Sequence, residues 1–198
     1  MTTPDHPHRW LQQDVLSAAP ALLGWELVSR TEEGETAGRI VEVEAYHGVI
    51  DPASHAYRGL TPRTAPMFES GGAIYVYLSY GVHMCLNIVT GPAGEAQAVL
   101  IRALEPTRGQ ALMIKRRHTT NPLLLTSGPG RLTQALGITR ELSGTRLGDA
   151  LSLLPPAAPL QPATITAGPR IGISQAKDQP WRFYLADNQY ISRPTPKS

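Results

Sequence analysis

The sequence predicts an α+β fold of one domain, in which a curved antiparallel β-sheet of roll or open-barrel type is flanked by helices and carries a protruding β-hairpin. Most strand candidates follow one another through short connections, which favours antiparallel pairing over a doubly wound parallel sheet. The 198 residues include 18 glycines and 18 prolines, which indicates short elements separated by turns. No repeat and no composition shift marks a domain boundary, and the length suits a single core.

The N-terminal elements are predicted from periodicity and from turn residues. Residues 1–9 are expected to form a loose terminus. A short helix is predicted at Pro20–Gly24, because proline suits a first helical turn and glycine suits a helix end. Strands are predicted at Trp25–Arg30 and Arg39–Tyr46, with a turn at Thr31–Thr36 between them.

The rest of the chain continues with strands and two longer helical segments. Residues 47–72 form a long connection with one helical turn at Thr64–Phe68. A helix is predicted at Thr107–Arg117, and Ser127–Gly137 is a loop that opens into another helix. The remaining strand candidates are Ala73–Leu78, Met84–Val89, Gln97–Leu104, Ala163–Thr166, Pro169–Ile173 and Arg182–Leu185.

Composition narrows the class of protein. No apolar run is long enough to span a membrane, and the first residues lack the apolar segment of a signal peptide, so a cytoplasmic protein is expected. Residues 1–99 carry 5 basic and 11 acidic side chains, whereas residues 100–198 carry 13 basic and 5 acidic ones. A basic half suits a face that binds a polyanion, although scattered solubilising charge gives the same totals.

Cysteine and histidine spacing argues against metal chemistry. The single cysteine, Cys85, excludes an internal disulfide and a cysteine-based zinc site. It lies in an apolar strand, so it is expected to be a buried thiol, with a catalytic nucleophile as the alternative. The six histidines show no HExxH spacing, and no metal site and no cofactor are expected.

Two glutamates in Arg39–Tyr46 form the first candidate site. Side chains alternate along a strand, so Glu42, Glu44 and Tyr46 share one face and lead into the long loop. A glutamate near an electrophilic carbon can serve as a base for water. The alternative is a solvent-facing strand edge whose charges have no function.

The segment Gly71–Gly81 is rich in tyrosine and forms the second candidate site. Tyr75 and Tyr77 point to the same side of their strand, and Tyr75 is expected in the core. Tyr80 falls at the tip of the hairpin, where burial is difficult. An exposed aromatic can enter a base stack and fill the gap left by a rotated nucleotide, since stacking on a base contributes roughly 1–3 kcal/mol.

These segments together resemble the alkyladenine (3-methyladenine) DNA glycosylase family. The matching stretches follow one another in the same order as in the family and extend over about residues 15–185. The VETEAY-like and YVYxxYG-like strings are specific in combination. The matching stretches are Leu22–Gly24, Arg39–Tyr46, His55, Thr61–Arg63, Met67–Phe68, Tyr75–Gly81, Cys85–Ile88, Leu100–Pro106, Ser127–Pro129, Leu132 and Gln134–Leu136.

The resemblance implies a role for residues around a flipped base. Glu44 is implied as the general base for the attacking water, and Arg102 as an arginine near that water and the DNA backbone. Tyr46, His55 and Tyr77 are implied as walls of the base pocket.

Four further positions carry implied contacts with DNA. Asn87 resembles the asparagine that clashes with the exocyclic amine of normal guanine, and Tyr80 resembles the intercalated residue. Arg63 and Arg131 are expected to contact the phosphate backbone.

The resemblance implies a single glycosylase domain over residues 1–198 that acts as a monofunctional enzyme. Its expected partner is double-stranded DNA with damaged purines, its nucleophile is water, and a monomer with no membrane association is expected. A non-catalytic nucleic-acid-binding module shares the basic half and the exposed aromatics but gives no reason for Glu44. An acyl hydrolase would need a nucleophile motif such as G-x-S-x-G, which is missing from the sequence.

Overall fold

The structure is a computed structural model, which describes residues 8–158 and 160–192. Its α-helices are α1 (Val15–Leu22), α2 (Gln110–Arg117) and α3 (Pro129–Leu136). Its strands are β1 (Glu26–Thr31), β2 (Gly34–His47), β3 (Ile74–Ser79), β4 (His83–Thr90), β5 (Gln97–Arg108), β6 (Leu151–Leu154), β7 (Ile165–Gly168) and β8 (Arg182–Leu185). Short 3₁₀ turns fill much of the connection between β2 and β3.

All eight strands belong to one open antiparallel sheet. Six of them follow the order β3-β4-β5-β2-β1-β6, and β7 and β8 join through the pairing of β8 with β2. β3 and β4 form the hairpin at one edge. The predicted α+β class, with an antiparallel sheet, flanking helices and a projecting hairpin, is confirmed.

The long strand β2 explains the curvature of the sheet. Residues 34–39 pair with β1, whereas residues 42–44 pair with β8. β5 pairs with β2 along most of its length, and the register shifts near Gly38 and around Glu42. Such bulges bend a strand and increase its twist. Strand β2 can therefore pair with β1 along its first part and with β8 farther along.

Alternating side chains place two different clusters on the two faces of the sheet. The main core contains Ile74 and Val76 of β3 together with residues from α1 and α3. The opposite face carries a smaller cluster, to which Tyr75 belongs, beneath the 3₁₀ turns that follow β2. The candidate site lies on this second face.

Helix α1 begins earlier than predicted. The Asp14 carboxylate accepts a hydrogen bond from the Leu16 backbone N–H at 2.8 Å, which caps the first turn. Pro20 therefore lies inside the helix and not at its start, and Gly24, with φ of 83°, follows the helix end. The predicted start at Pro20 is wrong because the cap at position 14 was overlooked.

Several other predicted boundaries differ from the structure. The helix predicted from Thr107 begins at Gln110, because β5 continues to Arg108 and Gly109 turns the chain with φ of 72°. The strand β6 was not predicted; it pairs with the outer edge of β1. The strand predicted at Pro169–Ile173 is wrong, because this segment is an irregular loop.

The remaining elements agree more closely with the prediction. The helical turn predicted at Thr64–Phe68 is a 3₁₀ turn over Ala65–Phe68. Of the terminus predicted to be loose, residues 1–7 lie outside the described residues, and Arg9 opens a 3₁₀ turn that buries Leu11. Within residues 8–158 and 160–192, no helix has the length and apolar character needed to cross a membrane.

Candidate active site

Strand register brings the candidate residues into one line across the sheet. Tyr75 pairs with Asn87, Asn87 pairs with Leu100, and Leu100 pairs with Glu44. Glu44 in turn pairs with Arg182 of β8. Directly paired residues of neighbouring strands point to the same face, so segments far apart in sequence supply one surface.

A cleft of about 610 Å³ opens above this line of residues. Its walls come from the hairpin, from the 3₁₀ turns after β2 and from the loop 171–175. Seven predicted site residues line it: Tyr46, His55, Arg63, Tyr77, Tyr80, Asn87 and Arg102. A volume of this size can hold a flat heterocycle together with part of its sugar.

Glu44 lies directly behind the wall of the cleft and has no exposed surface. Its Oε2 accepts a hydrogen bond from the Tyr46 hydroxyl at 2.9 Å, and its Oε1 accepts one from the Ile171 N–H at 2.7 Å. Arg102 places Nη1 3.3 Å from the same Oε1. All three partners line the cleft, so the carboxylate lies one layer of side chains behind its surface, and the alternative of a solvent-facing edge is wrong because Glu44 is fully buried.

The neighbouring carboxylate Glu42 serves a different structure. Its Oε1 accepts from Arg182 Nε at 2.7 Å, from Ser192 Oγ at 2.8 Å and from Arg102 Nε at 3.1 Å. Glu42 is fully buried, and of these three partners only Arg102 lines the cleft. It therefore ties β2 to β8 and to the chain near Ser192.

Arg102 connects the two carboxylates. Its Nε and Nη1 face Glu42 and Glu44 respectively, and the side chain is 7% exposed. Burial alone would lower the pKa of Arg102, but Glu44 and Glu42 outweigh it and raise the pKa. Arg102 is thus a fixed positive charge on the floor of the cleft.

Aromatic rings form the wall on the hairpin side. The His55 and Tyr77 rings meet edge to face at 4.4 Å between centroids, and the Tyr75 and Tyr77 rings lie 5.5 Å apart. His55 Nδ1 lies 3.0 Å from the Tyr75 hydroxyl. Desolvation, together with the positive charge of Arg63, lowers the pKa of His55, which keeps the imidazole neutral near pH 7.

The opposite wall depends on Tyr46. Burial, reinforced by the nearby Glu44 carboxylate, raises the pKa of Tyr46, so its hydroxyl stays protonated and donates to Glu44. The guanidinium of Arg170 lies over the Tyr46 ring, 4.6 Å from its centroid. Arg170 is itself held by both oxygens of Asp51, and it donates to the Ala45 carbonyl at 2.9 Å.

The hairpin tip projects beside the mouth of the cleft. Tyr80 is 87% exposed and, like Gly81, adopts a positive φ, of 49° and 73° respectively. Leu78 and Val82 are also exposed, so the tip presents an apolar wedge to solvent. The expectation that Tyr80 is unburied is confirmed.

Two polar residues complete the floor. Asn87 is 4% exposed and donates from Nδ2 to the Tyr75 carbonyl at 3.1 Å. Cys85 is buried, as predicted, and desolvation raises the pKa of its thiol, which argues against the thiolate that a nucleophile requires.

The two predicted backbone arginines occupy different places. Arg63 lines the cleft. Arg131, on the first turn of α3, is exposed and donates to Ser127 Oγ at 3.1 Å, outside the cleft. Asp51, Arg170 and Ile171 were not predicted as site residues. Arg170 is 119 residues from Asp51, and Ile171 is 127 residues from Glu44. Because Arg170 and Ile171 lie in an irregular loop, the sequence carries no periodic signal for these contacts.

Comparison with known proteins shows the family of the chain. The methylpurine-DNA glycosylase family model matches residues 9–189. A protein of Methanoculleus marisnigri is 53% identical over 191 residues, which cover 94% of this chain and 98% of the relative. A protein of Rhodopseudomonas palustris is 50% identical over 192 residues, which cover 96% of this chain and 89% of the relative.

A protein of Agrobacterium fabrum is 46% identical over 191 residues, which cover 96% of this chain and 94% of the relative. All three relatives carry the name "Putative 3-methyladenine DNA glycosylase". A family match over almost the whole chain, together with relatives of this similarity, leaves one assignment: the chain belongs to the methylpurine-DNA glycosylase family.

Proposed function

We propose that this chain is a monofunctional DNA glycosylase that rotates a damaged purine of the 3-methyladenine type out of double-stranded DNA and hydrolyses its N-glycosidic bond in base excision repair. One observation carries the proposal. A fully buried carboxylate, Glu44, is bonded to Tyr46 and lies 3.3 Å from Arg102, and both partners line an aromatic cleft beside an exposed hairpin tip.

The cleft suits a flat, electron-poor ring. Tyr46 and Tyr77 place aromatic surfaces on two of its walls, and His55 lies beside Tyr77. A purine alkylated on a ring nitrogen carries a positive charge, which tyrosine faces attract by roughly 0.5–2 kcal/mol. Asn87 on the floor is the side chain proposed to clash with the exocyclic amine of normal guanine.

Glu44 is proposed as the base that activates water. A carboxylate accepts about four hydrogen bonds, and Oε2 of Glu44 receives only the Tyr46 hydroxyl among the contacts of the described residues. The water oxygen bonds to C1′ while the C1′–N bond breaks, the bonding electrons leave with the base, and the water proton passes to Glu44. The negative charge also stabilises the oxocarbenium-like sugar.

Base rotation is proposed to depend on Tyr80. Unstacking a base costs a few kcal/mol, and an aromatic inserted into the gap offsets most of this. The tip needs no rearrangement to reach DNA because Tyr80 is already exposed. No lysine lines the cleft in the described part of the chain, which favours simple hydrolysis over a Schiff-base lyase step.

The partner proposed for this surface is double-stranded DNA with damaged purines, and water is the proposed nucleophile. Arg63 and Arg131 are proposed to contact phosphates, on the strength of their exposed guanidiniums. A monomer acting in the cytoplasm is part of the same proposal.

The test is a panel of lesion-bearing duplexes, with 3-methyladenine, 7-methylguanine and hypoxanthine, assayed for free base by chromatography. The expected result is release of the free base and an abasic strand that stays intact until it is treated with alkali. Specific binding of these duplexes with no base released would contradict the proposal and support a non-catalytic nucleic-acid-binding module.

A further inference from the structure

Two arginine guanidiniums stand over the two tyrosine walls of the cleft. Arg170 lies 4.6 Å from the centroid of the Tyr46 ring, and Arg63 lies 5.7 Å from that of Tyr77. Both distances are within the range at which a cation is attracted by an aromatic face. Each tyrosine that could stack on a cationic base therefore already has a cation beside it.

Arg170 is a fixed part of the structure. It is 5% exposed, it binds both oxygens of the buried Asp51, and it donates to the Ala45 carbonyl. Breaking such a pair would leave a buried charge uncompensated, which costs several kcal/mol. Arg170 is therefore unable to leave Tyr46 when a ligand arrives.

Arg63 has a different environment. It is exposed, and none of the ion pairs among residues 8–158 and 160–192 includes it. Its Nη2 lies 3.4 Å from His55 Nε2, and it also contacts the Tyr75 hydroxyl. It lines both the main cleft and a second cleft of about 410 Å³ on the far side of the tyrosines.

Among the described residues, the side chains that Arg63 contacts carry no counter-charge, whereas the Glu44 carboxylate, which also acts on Tyr77, is already paired with Arg102. Its three neighbours, His55, Tyr75 and Tyr77, are neutral near pH 7, and its positive charge contributes to the lowered pKa of His55. A positive potential at this face opposes a second cation. A neutral base of the same shape would not experience that opposition.

We infer that Arg63 holds the cation position on the Tyr77 face of the base pocket and thereby reduces the preference of the pocket for cationic damaged purines over neutral ones. The inference rests on the proposed function, because it takes a purine as the occupant of the cleft. It gives Arg63 a role in specificity that is separate from contact with a phosphate.

The expected effect follows from Coulomb's law. Two like unit charges about 6 Å apart in a water-like dielectric repel each other. Their repulsion energy corresponds to about a threefold change in affinity. A less polar pocket would make the effect larger and dissolved salt would make it smaller, so about threefold is the expected size of the effect. Any contact of Arg63 with a phosphate would affect cationic and neutral lesions equally and would cancel in their ratio.

The test compares two duplexes that differ only in the charge of one base. One contains 7-methylguanine and the other its neutral isostere 7-deaza-7-methylguanine, each on a 2′-fluoro sugar that resists hydrolysis. Both bases keep the exocyclic amine, so the effect of Asn87 cancels. Fluorescence anisotropy gives the two dissociation constants at one salt concentration.

Arg63→Met should raise the preference for the cationic base over its isostere about threefold relative to the parent chain, the factor estimated from Coulomb's law. Arg63→Lys should keep the parent ratio. Arg58→Met, which removes an exposed arginine outside the cleft, should weaken both duplexes alike and leave the ratio unchanged. An unchanged ratio in Arg63→Met, or an equal shift in Arg58→Met, overturns the inference.

This outcome is separate from the fate of the proposed function. The proposed function stands or falls on release of free base by the parent chain from cleavable lesions. The role of Arg63 is judged from binding to duplexes that resist cleavage. Since Arg63 is exposed and outside the buried ion pairs, a measurement of Tm should find Arg63→Met as stable as the parent chain.

Discussion

The variants Glu44→Gln and Glu42→Gln should fail in opposite ways, although the two residues are chemically identical, two positions apart and both fully buried. Glu44→Gln should stop base release and leave the fold nearly as stable as before. Glu42→Gln should destabilise the fold and retain much of the activity at temperatures where it is folded. Each variant is therefore the matched control for the other.

The hydrogen bonds of Glu44 explain why its replacement is mild for stability. A glutamine oxygen can take the place of Oε1 and accept from the Ile171 N–H, beside Arg102. Its amide nitrogen then takes the place of Oε2 and can donate to Tyr46 if that hydroxyl turns to accept. Arg102 keeps Glu42 as a counter-ion, so the expected loss is near the low end of about 1–3 kcal/mol.

The hydrogen bonds of Glu42 do not permit the same replacement. Its Oε1 accepts from Arg102, Arg182 and Ser192 Oγ, and its Oε2 accepts from the Ser192 N–H. An amide nitrogen at Oε2 would face another donor, and the buried Arg102 and the partly buried Arg182 would lose a carboxylate. The expected loss is about 3–5 kcal/mol, with Tm lowered by roughly 2–4 °C for each kcal/mol in a chain of this size.

Single-turnover release of 3-methyladenine and denaturant unfolding provide the two readouts. A positioned general base contributes about 10²–10⁴ in rate, so Glu44→Gln should lose at least about a hundredfold. Binding to the lesion duplex should stay nearly intact in that variant. Release within about tenfold of the parent chain by a folded Glu44→Gln protein would remove Glu44 from the mechanism.

Three further predictions concern the hairpin tip, the cleft loop and pH. Tyr80→Ala should weaken lesion-duplex binding by about 1–3 kcal/mol without a change in Tm, because the side chain is 87% exposed; equal binding by titration would show that it is no wedge. Arg170→Met should lower the free energy of unfolding by about 3–5 kcal/mol, because Asp51 stays buried without its ion-pair partner. The double variant with Asp51→Leu should recover part of that loss. No recovery in denaturant unfolding would contradict the argument that the two residues stabilise the fold as a pair. The pKa of His55 is lowered from 6.5 in the folded protein, so below pH 6.5 the unfolded chain binds more protons than the folded one. The free energy of unfolding should therefore decrease as the pH falls from 6.5 through the lowered pKa. In His55→Gln, denaturant unfolding at several pH values should show a weaker dependence of stability on pH.

Local pattern was sufficient for most of the sheet. The alternation in Arg39–Tyr46 and in the tyrosine-rich hairpin predicted the strands that carry the site, because a period of two is a property of the backbone alone. The hairpin tip was predicted to be exposed because Tyr80 falls at the apex of the hairpin, where burial is difficult. The start of α1 failed because the capping role of Asp14 outweighed the more conspicuous Pro20.

Distant contacts were beyond the reach of local pattern. The loop 171–175 closes the cleft, although a strand was predicted over Pro169–Ile173, which overlaps it. Arg170 reaches Asp51 and Tyr46 across more than a hundred positions, and Ile171 supplies a backbone N–H to Glu44. None of these contacts has a periodic signature, since each depends on where the loop is held after the sheet has formed.

The sequence by itself determined that Glu42 and Glu44 share one face of one strand, and it determined the aromatic residues that accompany them. The strand pattern could not distinguish the two acids, because both have the same side chain at the same phase of the strand, and the family resemblance implied a role for Glu44 without giving its physical reason. Only the tertiary structure supplied that reason, by placing Arg182 and Ser192 against Glu42 and by placing Tyr46 and Ile171 between Glu44 and the cleft. A strand fixes the direction of a side chain, whereas its partners come from whichever segments pack against that strand.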